Sequence, residues 1–373
     1  MQGLKIIGLG SALPGKRVHN DDLAKIMETS DEWIFSRTGI HERRFCEKEE
    51  SAATLAIKAG KDALESSGIS ASDLGVILVA SMSPDFTAPS MAAILAKELS
   101  AEEDCIALDI NAACSGFVYG LEVARGLLAS SDKKRALVVG TEQLSRLLKM
   151  EDRTTSVLFG DGAGAAVVEE SNTDYASFLG SRGDFSIVSP SLYTGAFDGF
   201  YEDGTENPEI LGQGATEGKH EKIDHLMMDG KSVFLFAIDI IPRCIEGILK
   251  KTGERLEEID HVVCHQANSR IIRNVVRHLK AKPEQFFEDM ELYGNTSGAS
   301  IPFALKDMEE QGLLKEGEKL LLIGFGAGLT FGAVEIVYGE GNREWVLLHT
   351  LLKEKNEGEE VTKRRRSGKE EKK

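Results

Sequence analysis

The chain has 373 residues, 42% of them apolar; at about 150 residues per domain that suits two domains or one large fold of two similar halves. Acids outnumber bases 61 to 44, for a formal charge of −17, which argues against whole-surface affinity for nucleic acid or anionic membrane. Cys46, Cys105, Cys114, Cys244 and Cys264 show no CxxC pair and no zinc-ligand spacing, so a reducing compartment is expected, no metal site is read, and any important thiol acts alone.

The opening run from Met1 to Gly10 is too short in apolar residues for a signal peptide, and no apolar stretch approaches the ~18 residues of a membrane span. A cytoplasmic protein is expected. Along the chain, Ala52–Ser67 reads as a helix, Val76–Ala80 and Ile106–Ile110 as buried strands, and Phe117–Ala129 as a helix. Ala136–Val139 reads as a strand and Val233–Lys251 as a helix. Such alternation predicts a layered α/β fold. High glycine (38) with low proline (8) fits the tight turns such a fold needs. Residues 173–224, rich in Gly, Ser, Asp and Tyr, read as a long excursion with little regular structure. Beyond 340 a short apolar patch gives way to a charged end, in which 15 of the 21 residues from Lys353 onward are charged; 341–373 is expected to be a disordered tail.

An internal repeat organises the rest. Asn111–Leu121 lies on Asn295–Leu305 at an offset of 184, and Ala136–Gly140 on Leu320–Gly324 at the same offset. Val76–Ala80 pairs with Val262–Gln266 at 186, and Gly164–Val168 with Gly332–Ile336 at 168. The halves are read as 1–172 and 225–340.

Cys114 lies between a strand and a helix, among Ala112, Ala113, Ser115 and Gly116. A helix N-terminus favours thiolate, and small neighbours admit an acyl group; an inert buried thiol is the ordinary alternative. His265 closes the strand Val262–His265, where open α/β sheets place ligands. Asn295 sits at the repeat position of Asn111, so two strand-to-helix elbows, one with Cys114 and one with Asn295, should face each other. By itself such an Asn is as readily an N-cap or turn residue. The runs Gly160–Gly164 and Gly324–Gly328 lead into strands rather than long helices, so they read as tight turns and not as a dinucleotide fingerprint. After the histidine, Arg270, Arg273, Arg277 and Lys280 share one helix face, opposite Ile271, Ile272, Val275, Val276 and Leu279.

These motifs together resemble β-ketoacyl-[acyl-carrier-protein] synthase III, the initiating condensing enzyme of type II fatty-acid synthesis in the thiolase superfamily. The resemblance rests on Asn111-Ala-Ala-Cys-Ser-Gly-Phe117, His265-Gln-Ala-Asn268, Tyr293-Gly-Asn-Thr-Ser297, Thr29–Ile34 with Arg37–Ile40, and Phe159–Ala165, and covers about residues 3–338. It implies a duplicated thiolase-like fold of five layers, α-β-α-β-α, and a homodimer. It implies that Cys114 takes an acyl group from acyl-CoA, and that His265 and Asn295 bind the thioester carbonyl of malonyl-acyl carrier protein. The backbone N–H groups of Cys114 and Ala327 would hold the second oxyanion. Trp33, Arg37, Arg153 and Asn268 match the coenzyme A grip, although Trp33 by itself reads as a staple over a helix start. Ala88 matches an acyl-pocket position that many relatives fill with phenylalanine, which suggests primers bulkier than acetyl. The basic face of Arg270, Arg273, Arg277 and Lys280 matches the place for carrier-protein docking. Coenzyme A thioester is a substrate, and no separate cofactor is implied.

Ala327 stands where relatives carry glycine, a change tolerated if its φ is negative. Two other functions compete with condensation. One is an acyltransferase or specialised ketosynthase of secondary metabolism on the same fold. The other is a hydrolase, since the order Cys114, His265, Asn295 is also that of papain-like proteases; a non-catalytic thiolase-like scaffold is a further alternative.

Overall fold

The computed structural model describes residues 3–189 and 225–339. The first half runs β1 (Gly3–Ala12), β2 (Lys16–His19), α1 (Asn20–Leu23), α2 (Asp31–Thr38), β3 (Glu42–Phe45), α3 (Ala52–Ser67), β4 (Leu74–Ala80), α4 (Met91–Leu99), β5 (Ile106–Ile110), α5 (Gly116–Leu128), β6 (Arg135–Glu142) and β7 (Gly162–Ser171). The second runs β8 (Ala176–Asp184), β9 (Ile187–Val188), β10 (Met227–Met228), α6 (Gly230–Thr252), β11 (His261–Cys264), α7 (Ser269–Leu279), α8 (Met290–Tyr293), α9 (Ser300–Glu310), β12 (Lys319–Gly326) and β13 (Gly328–Tyr338). The six strands and helices expected up to 252 all form, with ends moved by a few residues. Helix α3 shows why: Ser51 caps its start by accepting from Thr54 N, Gly68 ends it at φ 67°, and its alanine-rich face is buried.

The repeat is visible in the strand order. In the first half β5, β4 and β6 pair parallel, then β7 and β1 follow antiparallel. In the second half β11 and β12 pair parallel, then β13 and β8 follow antiparallel. So β4, β6 and β7 correspond to β11, β12 and β13, as the sequence offsets suggest, and β1 corresponds to β8. The place of β5 is taken in the second half by a single parallel bridge, Val262 to Phe286. The two sheets join through two register pairs between β1 and β13, Lys5 with Val337 and Ile6 with Tyr338.

Residues 176–188 correct the reading of 173–224 as an excursion without regular structure: β8 is a strand of the second sheet. Its polar, glycine-containing sequence disguised it because β8 is an edge strand, half-buried along its first part and exposed at Ser181–Gly183. Residues 190–224 and the tail 341–373 lie outside the described residues.

Three apolar clusters define five layers. α3 and α4 cover one sheet from outside, and α6 and α7 cover the other. Between the sheets lie α5 and α9, where Phe117, Leu121, Leu128, Ile301 and Leu305 meet side chains of β1, β4, β6, β12 and β13. Burying each such Leu, Ile or Phe contributes about 1.5–3 kcal/mol. No described helix is long and apolar enough to cross a membrane.

Glycines at the ends of β6 and β12 let the halves interlock. A Cβ on Gly140 would overlap the Gly298 carbonyl, and one on Gly324 would stand 2.7 Å from Ser115 Cα. Each glycine therefore receives the other half's strand-to-helix elbow. Gly324→Ala should lower unfolding stability by about 3 kcal/mol or more, because backbone, not a movable side chain, stands in the way. Urea unfolding followed by circular dichroism checks this.

Candidate active site

Each elbow is built the same way. After β5, Asn111 Oδ1 accepts from Ala113 N (3.2 Å), Ala113 takes φ 45°, and a 3₁₀ turn over Ala113–Ser115 leads into α5. In the second half, Asn295 Oδ1 accepts from Ser297 N (2.8 Å), Ser297 takes φ 50°, and a turn over Ser297–Ala299 leads into α9. These left-handed non-glycine residues are repeat partners, and each position costs about 1–3 kcal/mol that surrounding packing must offset. The Asn oxygen does so locally, by taking the N–H of the strained residue.

The elbows bring Cys114 and Asn295 to one chamber, which His265 also lines. His265 stands just past β11, its N–H donating to Ile323 O (2.7 Å). Its ring is buried and meets Phe325 edge-on at 5.2 Å. Nδ1 is 2.7 Å from Ser300 Oγ, and that oxygen accepts from Gln266 N (3.3 Å). In the tautomer whose ring proton is on Nε2, the Ser300 hydroxyl donates to Nδ1 and an N–H is left for the chamber. Burial lowers the imidazole to about 3, so the ring is neutral. Asn295 has committed its oxygen to Ser297, which leaves its Nδ2 hydrogens for the chamber. Asn295 therefore does not orient His265, unlike the arrangement a Cys–His–Asn hydrolase requires.

Cys114 departs from expectation. Burial pushes its thiol up to about 12, with the Ser297 hydroxyl lowering it in part and the nearby Glu142, a smaller effect, raising it. Desolvation outweighs the pull of the helix start, so the resting group is a thiol and not the thiolate its position suggested. The turn between β12 and β13 packs directly on it: a Cβ on Gly326 would lie 2.8 Å from Cys114 Cβ. Ser115 Oγ donates to Ala112 O (2.7 Å), and Thr330 Oγ1 donates to the same carbonyl (2.9 Å), stitching this turn to the elbow. Ala327 lines the chamber and avoids the left-handed region, so its Cβ brings no backbone strain.

Trp33, Arg37 and Arg153 are not among the residues lining the chamber; the Arg37 and Arg153 guanidiniums lie 4.4 and 4.9 Å from the Trp33 ring centroid. Trp33 N also donates to Ser30 Oγ, the N-cap of α2, so the residue helps start its helix as well. Asn268 caps α7 by accepting from Arg270 N and donates from Nδ2 to Arg37 O (3.0 Å), tying α2 to α7 beside the chamber. Arg270, Arg273 and Arg277 are exposed on α7, over a buried face of Ile271, Ile272, Val275 and Val276, while Lys280 is exposed just past its end as the left-handed C-cap.

Ala88 is exposed and does not line the chamber of its own chain. The apolar wall is instead Met82, Ile187, Leu226, Met228, Phe234 and Phe236. Sequence reading passed over these residues because several come from β9, β10 and the start of α6, next to the stretch read as irregular. It also missed Ser300, whose only signal was its place at the start of the second repeated helix.

Residues 108–183 match the family described as 3-oxoacyl-[acyl-carrier-protein (ACP)] synthase III, and residues 249–338 match its C-terminal counterpart. The chain is 40% identical over 345 residues to the beta-ketoacyl-[acyl-carrier-protein] synthase III of Clostridium botulinum (strain 657 / Type Ba4), covering 91% of this chain and 99% of that one. The crystal structure of 3-oxoacyl-[acyl-carrier-protein] synthase III from Aquifex aeolicus VF5 aligns with TM-score 0.78 and 36% identity over 90% of this chain and 100% of that one. The priming beta-ketosynthase from the R1128 polyketide biosynthetic pathway aligns with TM-score 0.79 and 30% identity over 91% and 98%.

The imidazole geometry has a direct spectroscopic consequence. Nitrogen NMR of labelled protein should show His265 neutral and protonated on Nε2 throughout pH 5–8. Titration in that range, or a proton on Nδ1, would contradict the assignment.

Proposed function

The chain belongs to the β-ketoacyl-[acyl-carrier-protein] synthase III family, a family of condensing acyltransferases that start fatty-acid synthesis, and we propose how its residues carry out that reaction. An acyl-CoA primer enters past Trp33, Arg37 and Arg153, with Asn268 beside the pantetheine arm. Cys114 attacks the thioester, coenzyme A leaves, and the acyl group stays on sulfur. Malonyl-acyl carrier protein then docks on the basic face of α7, which offers a local positive field on an enzyme of charge −17. Its thioester carbonyl receives hydrogen bonds from His265 Nε2–H and Asn295 Nδ2–H.

Loss of CO₂ leaves a carbanion that survives only as an enolate. Two neutral donors in a dry chamber stabilise that oxyanion without giving up a proton. The enolate carbon attacks the acyl-Cys114 carbonyl, whose oxygen is held by the N–H groups of Cys114 and Ala327. Collapse releases 3-oxoacyl-carrier protein and expels Cys114 as a thiolate, which takes up one proton from water to restore the thiol. The observation that carries this reading is a neutral imidazole, its ring orientation fixed by Ser300, lining one chamber with Cys114 and Asn295.

The chemistry calls for no cofactor beyond the thioester substrates. The apolar wall suits a hydrocarbon primer. Among the described residues β5 ends the sheet with an unpaired edge and half-buried side chains, Ile106 being 40% exposed, and this edge supports a homodimer built edge to edge. A cytoplasmic setting fits five free thiols.

His265→Ala and Asn295→Ala should still form the acyl-Cys114 adduct yet slow CO₂ release from labelled malonyl-carrier protein by about 10²–10³-fold each, the usual effect of losing one oxyanion donor. Intact-protein mass and trapped CO₂ read the two steps separately; a pure acyltransferase would acylate and release none. Charge reversal at Arg273 and Arg277 should raise the KM for carrier protein and flatten its salt dependence, while acylation by acyl-CoA stays unchanged.

A further inference from the structure

The two N–H groups that would hold the acyl oxygen come from different halves of the molecule, and no single element fixes the distance between them. Cys114 N belongs to the first elbow, and Ala327 N to the turn between β12 and β13. Among the described residues Ala327 N has no acceptor, so its hydrogen is left for a substrate. An oxyanion needs both donors within about 2.7–3.1 Å of one oxygen position. The turn must therefore be held against the elbow.

Two hydroxyls span the gap. Thr330, near the start of β13, brings its Oγ1 within 3.0 Å of Ala327 O, 2.9 Å of Ala112 O and 2.6 Å of Ser115 Oγ. Its backbone N–H also donates to Ala327 O (3.2 Å). Ser115, buried beside the nucleophile, reaches Ala112 O as well (2.7 Å). Two hydroxyl hydrogens are thus shared among Thr330 Oγ1, Ala112 O and Ala327 O, acceptors that lie on both sides of the gap. Gly326 makes so close an approach possible: a Cβ there would lie 2.9 Å from Cys114 N.

We propose that Thr330 and Ser115 are positioning residues for the oxyanion site, setting the Cys114 and Ala327 N–H groups at the spacing that the tetrahedral oxygen requires in both acylation and condensation. They act through the backbone and make no bond to the acyl group. The inference rests on the reading of Cys114 as the acylated nucleophile. The malonyl carbonyl is met by a separate pair, His265 and Asn295. The two hydroxyls therefore serve attack on the acyl carbonyl and leave enolate formation untouched. A turn that drifts by about 1 Å misaims one donor, an error worth up to about 10²-fold in rate.

The test compares Thr330→Val, Thr330→Ser and Ser115→Ala with wild type, each as full-length protein. Single-turnover acylation by acetyl-CoA, read by intact mass, gives a maximal rate and a half-saturating concentration. Thr330→Val should acylate about 30–100-fold more slowly at saturation, with half-saturation unchanged. Thr330→Ser keeps the hydroxyl and should stay within about 3-fold of wild type, and Ser115→Ala, which leaves Thr330 its two carbonyls, should fall between them. The second readout is the product ratio. Once acylated by long incubation, Thr330→Val should still release CO₂ from labelled malonyl-carrier protein. A larger share of the enolate should then take a proton from water and appear as acetyl-carrier protein instead of 3-oxoacyl-carrier protein. Wild-type acylation in Thr330→Val, an equal loss in Thr330→Ser, a loss confined to half-saturation, or an unchanged product ratio would overturn the positioning role. Should Thr330→Val fail to fold, Ser115→Ala decides by the same rate and ratio. Wild-type protein that never gains an acyl adduct on Cys114 would overturn the nucleophile reading and the positioning role with it, an outcome distinct from the others.

Discussion

Two strained turns, each seated against a glycine of the opposite half, fix the geometry of everything at the chamber. Ala113 and Ser297 hold left-handed backbones that a non-glycine residue adopts only under constraint. The constraint is supplied by an Asn oxygen within each elbow and by Gly140 and Gly324 across the pseudo-twofold axis. Neither half holds its own turn in place unaided. The reactive sulfur and the carboxamide opposite it are therefore positioned by the same interlock that joins the two sheets.

Burial then decides the protonation of what the interlock gathers. His265 is neutral, Cys114 is a thiol, and Glu142 is lifted toward neutrality. In such a site a charge costs far more than in water, and a fixed hydrogen-bond donor is correspondingly stronger. A chamber of this kind favours chemistry in which charge appears briefly on an oxygen and is met by dipoles already aimed at it. Decarboxylative condensation has that character at both of its tetrahedral or enolate stages.

The rim follows different physics. Trp33 with two stacked guanidiniums, and the exposed cations of α7, lie in or near water, where affinity comes from stacking and steering more than from desolvated hydrogen bonds. Asn268 ties the two regions together, because one amide caps α7 and reaches the end of α2.

Much of this was written in the chain order. Alternating apolar runs specify strands and helices through local periodicity, and the offset of 184 revealed the duplication because both halves must solve the same packing problem. Cys114, His265 and Asn295 were legible because small residues and turn residues flank them in recognisable patterns. Three matters were not. The strand β8 has a polar edge sequence and is a strand only because β13 offers it a partner. The apolar wall is assembled from segments far apart in sequence, while Ala88 stays exposed. The protonation states of Cys114 and Glu142 depend on how completely water is excluded, a property of the packed halves. Sequence alone determined most of the elements, their repetition and the identity of the candidate reacting groups; tertiary structure decided which groups share a chamber and what charge they carry, because proximity and desolvation arise only when distant segments close around them.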